Sequence, residues 1–364
     1  MCYFYAVKIH EKYINRCIEL AKNGLGATYP NPLVGSVIVH NNKIIGEGWH
    51  QKAGEPHAEV NAINAVKNKD LLKDSTIYVN LEPCSHHGKT PPCSDLIVRS
   101  KIPNVVIGAI DTNSLVSGKG IEHLVKNGCN VEVGILEKEC LELNKRFYTF
   151  HNKKRPYIIL KWAETKDGFI DIDRIVCTIE EAKSTLISNK YSRQLVHQYR
   201  AEEQAILIGT ETAIKDNPKL DVRNMCGSNP IRIVLDKTLR IPISYHLFDG
   251  SVKTIVFVDS TTKVSQPYLN IPTIFIETIN FDAFVIDQLL QVLYNYEIQS
   301  VIIEGGKQLL DSFIAQNYWD EARVFVGSSN LTMGVKAPFI KGLKIQETTI
   351  LDNTLTIYQN ITAL

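Results

Sequence analysis

Two stretches of sequence decide the fold of the first half of the chain: Pro56-His57-Ala58-Glu59-Val60, and Leu81-Glu82-Pro83-Cys84-Ser85-His86-His87-Gly88-Lys89-Thr90-Pro91-Pro92-Cys93. The first stretch enters a predicted helix, and the second leaves a predicted strand. Together they supply one imidazole and two thiolates, which is a frequent ligand set for zinc. Three protein ligands leave the fourth tetrahedral position for water, as in a catalytic zinc site. The alternative without a metal site is a helix-end histidine and two unrelated cysteines.

Glu59 stands two residues beyond His57, so its side chain points in another direction and is predicted to move protons rather than bind metal. A His-x-Glu stretch followed by Pro-Cys and a second cysteine is the arrangement of zinc deaminases. Zinc lowers the pKa of bound water to about 7, which makes a nucleophile at neutral pH. The pattern therefore predicts a hydrolytic deaminase of an amino-pyrimidine, with Glu59 as catalytic residue and His57, Cys84 and Cys93 as metal ligands.

The spacing of the two cysteines limits the class of substrate. Zinc deaminases commonly have Cys-x-x-Cys, whereas eight residues separate Cys84 from Cys93 here. The longer loop places His86, His87 and Lys89 beside the metal. Cationic groups there favour an anionic substrate such as a phosphate ester. A solvated polar loop is the alternative.

Length, composition and charge limit the class of protein. The 364 residues suggest about two domains, and 44 % hydrophobic with 22 % charged residues fits a soluble globular protein. A net charge of +1 gives no general attraction to nucleic acid or anionic membranes. The N-terminus lacks the pattern of a signal peptide, and there is no apolar stretch of transmembrane length. We predict a cytoplasmic protein without nucleic-acid or membrane partners; a homo-oligomer is left open.

Strands alternate with helices through both halves of the chain, which predicts an α/β fold. The first domain, residues 1–150, is predicted as an α/β/α layered domain, and a basic polar stretch, 151–156, marks the boundary. Its predicted strands are 35–40, 43–50, 76–81, 105–110 and 131–135, and its predicted helices include 11–24 and 58–66. In the second domain, 151–364, predicted strands include 157–161, 205–208, 231–235, 254–258 and 300–304, with helices near 189–201, 282–295 and 307–316.

Glu304-Gly305-Gly306 lies between a predicted strand and a predicted helix of the second domain. Bare backbone at a helix N-terminus can bind phosphate, because its N–H groups are unpaired and the helix dipole favours an anion. The spacing is not that of the dinucleotide-binding fingerprint. A plain tight turn is the alternative.

The deaminase stretches closely resemble the bifunctional riboflavin-biosynthesis deaminase/reductase family. So do two stretches upstream of them, Pro30-Asn31-Pro32-Leu33-Val34-Gly35 and Gly46-Glu47-Gly48-Trp49-His50. The resemblance covers nearly the whole chain and implies a cytidine-deaminase-like fold for the first domain. It also implies deamination of 2,5-diamino-6-(5-phosphoribosylamino)pyrimidin-4-one, with Asn31, His50, His86 and Lys89 as substrate-binding residues.

For the second domain, the resemblance implies a dihydrofolate-reductase-like α/β fold and NADPH-dependent reduction of the ribosyl side chain. The product would be 5-amino-6-(5-phosphoribitylamino)uracil. The residues that would contact NADPH are Ala163, Thr212, Asp216, Gly306, Lys307, Gln308, Leu309, Leu310, Asp311 and Ser312. Those that would contact the substrate are Lys161, Ser184, Arg200, Leu220, Arg223 and Glu304; two arginines suit a phosphate because each offers a bidentate fork.

The stretch 169–187 departs from the family pattern. Leu186 stands where the family has a tryptophan that packs on the cofactor. A leucine keeps an apolar contact but offers no aromatic face, and the sequence leaves open whether this departure weakens NADPH binding.

Two other functions are compatible with parts of the sequence. An RNA- or DNA-editing deaminase shares the His-Ala-Glu and Pro-Cys pieces, but it should carry a basic nucleic-acid footprint, which the balanced charge disfavours. Alternatively, the second domain could be a binding or assembly module that performs no reduction, attached to a working deaminase.

Overall fold

The computed structural model describes residues 2–85, 91–111, 118–172, 186–223, 225–264 and 266–362. The chain divides into two compact units, 1–153 and 154–364. Among the helices of the described residues, none has the length and apolar character needed to cross a membrane.

The first unit is an α/β/α sandwich built on a five-stranded sheet with the order β2-β1-β3-β4-β5. Strand β1 is antiparallel to β2 and β3, whereas β3, β4 and β5 run parallel. The elements are α1 (Cys2–Lys22), β1 (Gly35–His40), β2 (Lys43–Trp49), α2 (Ala58–Ala65), β3 (Thr76–Leu81), α3 (Cys93–Arg99), β4 (Asn104–Ala109), α4 (Lys119–Lys126), β5 (Asn130–Val133), α5 (Glu137–Leu143) and α6 (Lys145–Lys153).

Alternating residues of the central strands form two separate cores, one on each face of this sheet. Ile77 and Val79 of β3 pack with residues of α2, α3 and α4. Tyr78, between them, packs with α1 and with Cys140 of α5 on the other face. This is the two-residue period of a strand buried on both sides. The predicted layered architecture of the first half is thereby confirmed.

The second unit contains a nine-stranded sheet with the order β11-β10-β9-β8-β12-β6-β13-β16-β15. Its strands run parallel from β11 to β13, and β16 and β15 are added antiparallel. The elements are β6 (Tyr157–Glu164), β7 (Phe169–Asp171), α7 (Lys190–Glu202), β8 (Ala205–Gly209), α8 (Thr210–Asp216), β9 (Ile231–Leu235), β10 (Thr254–Asp259), α9 (Gln266–Leu269), β11 (Ile274–Ile279), α10 (Val285–Asn295), β12 (Ser300–Glu304), α11 (Lys307–Ala315), β13 (Glu321–Val326), β14 (Val335–Lys336), β15 (Leu343–Ile350) and β16 (Asn353–Gln359).

The carboxyl ends of the parallel strands position the functional residues of both units. In the first unit, β3 ends immediately before Glu82-Pro83-Cys84. In the second, β12 ends at Glu304, directly opposite Lys161 of the neighbouring strand β6. Ligands of parallel α/β sheets bind at this edge, in the crevices outside the strand ends.

Candidate functional site

The three predicted zinc ligands come together at the carboxyl end of β3. His57 is the residue before α2, Cys84 follows β3, and Cys93 is the first residue of α3. The Nδ1 atom of His57 lies 3.6 Å from Sγ of Cys84 and 3.3 Å from Sγ of Cys93. Ordinary Zn–N and Zn–S bond lengths place N and S about 3.6 Å apart across a tetrahedron. The geometry and the donor types therefore fit zinc.

The two cysteine thiols shift each other's pKa in opposite directions. The pKa of Cys84 is lowered to about 4, first by the hydrogen bond from the Cys93 thiol and further by His57. The pKa of Cys93 is raised by its contact with Cys84 and by burial. The backbone N–H of Cys93 also donates to Sγ of Cys84, at 3.3 Å. A divalent cation held between the sulfurs would stabilise both as thiolates.

Glu59 lies in the first turn of α2 and is only 3 % exposed. Burial, followed by the charge of Cys84, raises its pKa to about 7, and a side-chain hydrogen bond joins it to Cys93. A buried carboxyl group in contact with the ligand cluster is suited to exchange protons there. Glu59 is therefore beside the predicted ligands without being one of the three grouped metal-binding residues.

Asn31 and His50 are in contact, and the hydrogen bonds of His50 set the orientation of the Asn31 amide. Nδ1 of His50 is 3.2 Å from the carbonyl oxygen of Pro56, which only accepts, so Nδ1 carries the proton. Burial lowers the pKa of His50, which favours the neutral ring, so Nε2 accepts. The Asn31 amide therefore donates from Nδ2 to Nε2, at 3.0 Å.

Glu82 is a supporting residue that the sequence pattern did not single out. Its carboxylate accepts backbone hydrogen bonds of 2.9–3.3 Å from Asp111, Gly118, Gly120 and Ile121. It thus caps the first turn of α4 and ties it to the turn that carries Cys84. No local motif marks such a contact, because the donors lie 29 to 39 residues away.

The loop residues His86 and Lys89, predicted to contact substrate, lie outside the described residues, as does Ser184 of the second unit.

A cavity of about 930 Å³ lies at the carboxyl end of β12 and β6 in the second unit. Its volume is typical of cofactor pockets. Its lining includes most of the predicted cofactor contacts and two of the predicted substrate contacts: Ala163, Thr212, Asp216, Gly306, Lys307, Gln308, Asp311, Ser312, Lys161 and Glu304. Residues outside the predicted contacts also line it, among them Trp162, Asp171, Glu211 and Lys215.

The first turn of α11 forms one wall of this cavity. Gly305 has φ +115°, and a Cβ on it would lie 2.8 Å from Oγ1 of Thr212, so the turn requires glycine. The N–H of Gly306 donates to Oγ1 of Thr212, at 2.9 Å. The unpaired N–H groups at the start of this helix suit a phosphate group. This donor set and the cavity fit a phosphorylated nucleotide.

Three of the predicted contacts have side chains that are buried in the core. Leu309 and Leu310 pack in the cluster under the sheet, on the face of α11 opposite the cavity lining. Leu220 is buried with Ile206 and Val234 in another cluster. These three residues can therefore offer only backbone groups to a ligand.

Lys161, Arg200 and Glu304 form one buried ionic cluster beside the cavity. Nη2 of Arg200 is 2.9 Å from Oε2 of Glu304, and Nζ of Lys161 is 3.8 Å from the same oxygen. Burial by itself raises the pKa of Glu304, but the charges of Arg200 and Lys161 hold it down at about 2. Burial lowers the pKa of Lys161. The cluster thus brings three predicted substrate contacts together.

Arg223 and Leu186 lie at the periphery of this site. The side chain of Arg223 is half-exposed and pairs with Asp221 at 3.2 Å. Arg200 donates to the carbonyl oxygen of Asp221, at 3.3 Å, which links the two arginine-bearing segments. Leu186 lines the cavity while remaining 72 % exposed. It therefore occupies the rim, where a larger side chain has room.

Comparisons with known proteins agree with both units. Residues 7–109 match the family model of the cytidine and deoxycytidylate deaminase zinc-binding region, and residues 156–362 match the RibD C-terminal domain. The chain is 38 % identical to the riboflavin biosynthesis protein RibD of Aquifex aeolicus over 329 residues, covering 90 % of this chain and 89 % of that one. It is 33 % identical to RibD of Escherichia coli over 330 residues, covering 87 % of each.

Solved structures agree over nearly the full length. The diaminohydroxyphosphoribosylaminopyrimidine deaminase/5-amino-6-(5-phosphoribosylamino)uracil reductase of Thermotoga maritima is 34 % identical, with a TM-score of 0.85, covering 98 % of this chain and 99 % of that one. RibD of Acinetobacter baumannii is 31 % identical, with a TM-score of 0.87, covering 97 % and 99 %.

Fold, metal cluster and cavity define a zinc-dependent deaminase joined to a reductase. The chain belongs to the RibD family of riboflavin-biosynthesis proteins. It is a bifunctional enzyme whose deaminase domain uses zinc and whose reductase domain uses NADPH, as the sequence predicted. The alternative of a second domain without reductase activity is not favoured.

Proposed function

We propose that this enzyme catalyses two consecutive reactions on one phosphorylated pyrimidine. Residues 1–150 deaminate 2,5-diamino-6-(5-phosphoribosylamino)pyrimidin-4-one, and residues 151–364 reduce the ribosyl side chain of the product, giving 5-amino-6-(5-phosphoribitylamino)uracil. The single observation that carries the first reaction is the cluster of His57, Cys84 and Cys93, whose ligand atoms all lie within 4.8 Å of one another, with buried Glu59 beside it.

In the deaminase, we assign zinc binding to His57, Cys84 and Cys93 and proton transfer to Glu59. A zinc ion held by these three residues would supply a nucleophile, because zinc lowers the pKa of bound water to about 7. The oxygen of this water would bond to the amino-bearing ring carbon while Glu59 takes one of its protons and passes it to the ring nitrogen. Glu59 would then carry the second proton of the same water to the leaving amine. The C–N bond to the amino group breaks, ammonia leaves, and a ring carbonyl remains.

We assign recognition of the pyrimidine to Asn31, with His50 supporting it. His50 accepts from Nδ2 of Asn31, which presents the Oδ1 oxygen for an N–H donor of the substrate. This refines the expectation that both residues bind substrate directly. His86 and Lys89 remain our predicted partners of the substrate phosphate.

In the reductase, we assign the phosphate groups of NADPH to the first turn of α11, where Gly306 to Ser312 begin the helix beside Thr212 and Asp216. NADPH supplies the hydride.

Lys161 and Glu304 line the same cavity and face the reacting sugar, while Arg200 and Arg223 bind the ribose phosphate. Ala163 completes the cofactor wall, and Ser184 stays a predicted substrate contact.

The test supplies the diaminopyrimidinone phosphate to the purified full-length enzyme, with and without NADPH. Ammonia release and NADPH oxidation are followed separately. We expect ammonia in both samples and NADPH oxidation only after deamination. Ammonia without NADPH oxidation would refute the reductase assignment, and absence of both activities would refute the substrate.

We further propose that the enzyme acts in the cytoplasm as a homo-oligomer. The exposed edge strand β15 supports self-association, because seven of its eight residues are exposed and its outer backbone groups face no other strand of the described sheet. Sedimentation equilibrium tests the oligomer: a strictly monomeric enzyme at micromolar concentration would refute it.

A further inference from the structure

Two buried asparagine side chains hold the backbone of Leu33. Oδ1 of Asn144 accepts from the Leu33 N–H at 2.7 Å, and Nδ2 of Asn144 donates to the Leu33 carbonyl at 3.0 Å. Asn80 donates to the same carbonyl at 3.0 Å and accepts from the Gly35 N–H at 2.7 Å. Side chains thus replace the strand partner that Leu33 lacks just before β1.

These bonds hold the segment that carries Asn31. Asn31 lies two residues before Leu33, and its own N–H donates to the carbonyl of Thr28, at 2.7 Å. On the other side, the N–H of His50 donates to the carbonyl of Val34, at 2.9 Å. Hydrogen bonds therefore hold the backbone both before and after Asn31. Among these hydrogen-bond partners, Asn144 is the most distant in sequence.

The remaining contacts leave this segment little freedom. A Cβ on Gly35 would lie 2.1 Å from the carbonyl oxygen of Cys17, so β1 begins in direct backbone contact with α1. Asn144 is 2 % exposed and caps the C-terminus of α5, 111 residues away from Leu33. It also lies beyond residues 7–109, which match the deaminase zinc-binding region.

We propose that Asn144 is a positioning residue of the deaminase, which sets the position of Asn31 through the backbone of Leu33. The inference rests on the proposed function of Asn31 as a substrate contact. Asn144 is not among the metal ligands, and its side-chain hydrogen bonds within the described residues go to Leu33 rather than to Glu59. Its replacement should therefore weaken substrate binding and spare the proton transfers.

The first test is Asn144→Ala in the full-length enzyme. We expect a roughly tenfold rise in KM for deamination, with kcat within about twofold of wild type and unchanged zinc content. The substitution removes two buried hydrogen bonds of ordinary strength. An interaction that stabilises the ground state and the transition state equally raises KM alone when it is removed. NADPH-dependent reduction of the deaminated intermediate should be unchanged.

Asn127→Ala is the matched control. Asn127 also caps a helix C-terminus, that of α4, but it is exposed and its side chain donates only to the carbonyl of His123 in its own helix. This variant should keep the wild-type KM.

A double-mutant cycle separates positioning from a general structural role. In an Asn31→Ala background, Asn144→Ala should raise KM no further, because the residue through which it acts is gone. Additive effects, an unchanged KM in the single variant, or joint loss of kcat and zinc would each overturn the inference. If Asn144→Ala does not fold, Asn144→Asp keeps the acceptor for the Leu33 N–H and loses the donor; a wild-type KM in that variant overturns the inference as well.

The proposed function and this inference fail differently. A wild-type enzyme that releases no ammonia from the diaminopyrimidinone phosphate refutes the proposed function. An active wild type with an unaffected Asn144 variant refutes the positioning role alone.

Discussion

The zinc cluster and the reductase cavity are assembled in opposite ways. The three metal ligands and Glu59 all lie between residues 57 and 93, at the ends of two helices and one strand. The cavity is lined by segments spread from Lys161 to Val335. A metal ion needs only a few donor atoms at short distances, which neighbouring elements can supply. An extended cofactor needs a long surface, which segments far apart in the sequence assemble.

The difference also appears in what stabilises the charged groups. In the zinc site, the sulfurs have each other, His57 and Glu59 as polar neighbours, so the cluster depends on a cation to hold both thiolates. In the cavity, Glu304 already has two cationic partners in Arg200 and Lys161. Substitution of Glu59 or of a metal ligand should therefore change chemistry or metal content, whereas substitution of Glu304 should change stability.

The largest expected effect is that of Glu59→Gln. Removing the proton carrier should lower the rate of ammonia release by about 10²- to 10⁴-fold, with zinc still bound, because the three ligands remain. Zinc content by atomic emission and NADPH oxidation with the deaminated intermediate serve as controls. Normal ammonia release would refute the role of Glu59; a loss of reduction as well would break the separation of the two sites.

Cys93→Ser tests the ligand set itself. A neutral hydroxyl is a poor substitute for a buried thiolate, so zinc affinity should fall by at least about 100-fold, beyond the usual cost of losing an outer-shell partner. Competition with a chromogenic chelator measures this directly. Cys129→Ser is a suitable control, since Cys129 is a buried free cysteine of the same unit outside the cluster. Unchanged affinity in Cys93→Ser would remove Cys93 from the ligands.

The ionic cluster predicts how stability depends on pH. The folded pKa of Glu304, about 2, lies below its ordinary value of 4.5. Its stabilisation is therefore complete above pH 4.5 and is lost as the pH falls from 4.5 toward 2, and it amounts to about 3 kcal/mol. Glu304→Gln should have a lower free energy of unfolding than wild type at pH 7. This difference in stability between variant and wild type, the stability gap, should be smaller at pH 3.

Urea unfolding followed by tryptophan fluorescence measures this gap, because two of the three tryptophans, Trp162 and Trp319, lie in the second unit. A gap that stays constant between pH 7 and pH 3 would show that the low pKa of Glu304 does not contribute to stability.

The parts of the fold that the sequence predicted are those with a strong local pattern. Strands β3 and β12 have the predicted bounds, and α7 is displaced by one residue from 189–201. Continuous buried apolar runs mark both strands. The zinc ligands were predictable for a related reason: their spacing is dictated by the metal and by the turns around it.

The parts that escaped prediction depend on tertiary contacts. Strand β15 has no buried face, and its alternating apolar residues Leu343 and Ile345 are exposed. Leu310 lies within a predicted cofactor stretch, but the helical period turns its side chain into the core. Asn144 and Glu82 act on backbone groups 111 and up to 39 residues away, and no short motif records such pairings.

The smallest expected effect concerns the rim of the cavity. Leu186→Trp restores the aromatic side chain of the family pattern at a position that lines the cavity and is mostly exposed. An aromatic contact of about 0.5–1.5 kcal/mol should tighten NADPH binding by roughly two- to tenfold, measured by fluorescence titration. Leu269→Trp is the matched control, because Leu269 is an exposed leucine of the same unit outside the cavity lining. Equal affinities in the two variants would show that the rim does not contact the cofactor, and that the reductase site is confined to the deeper segments between β6 and α11.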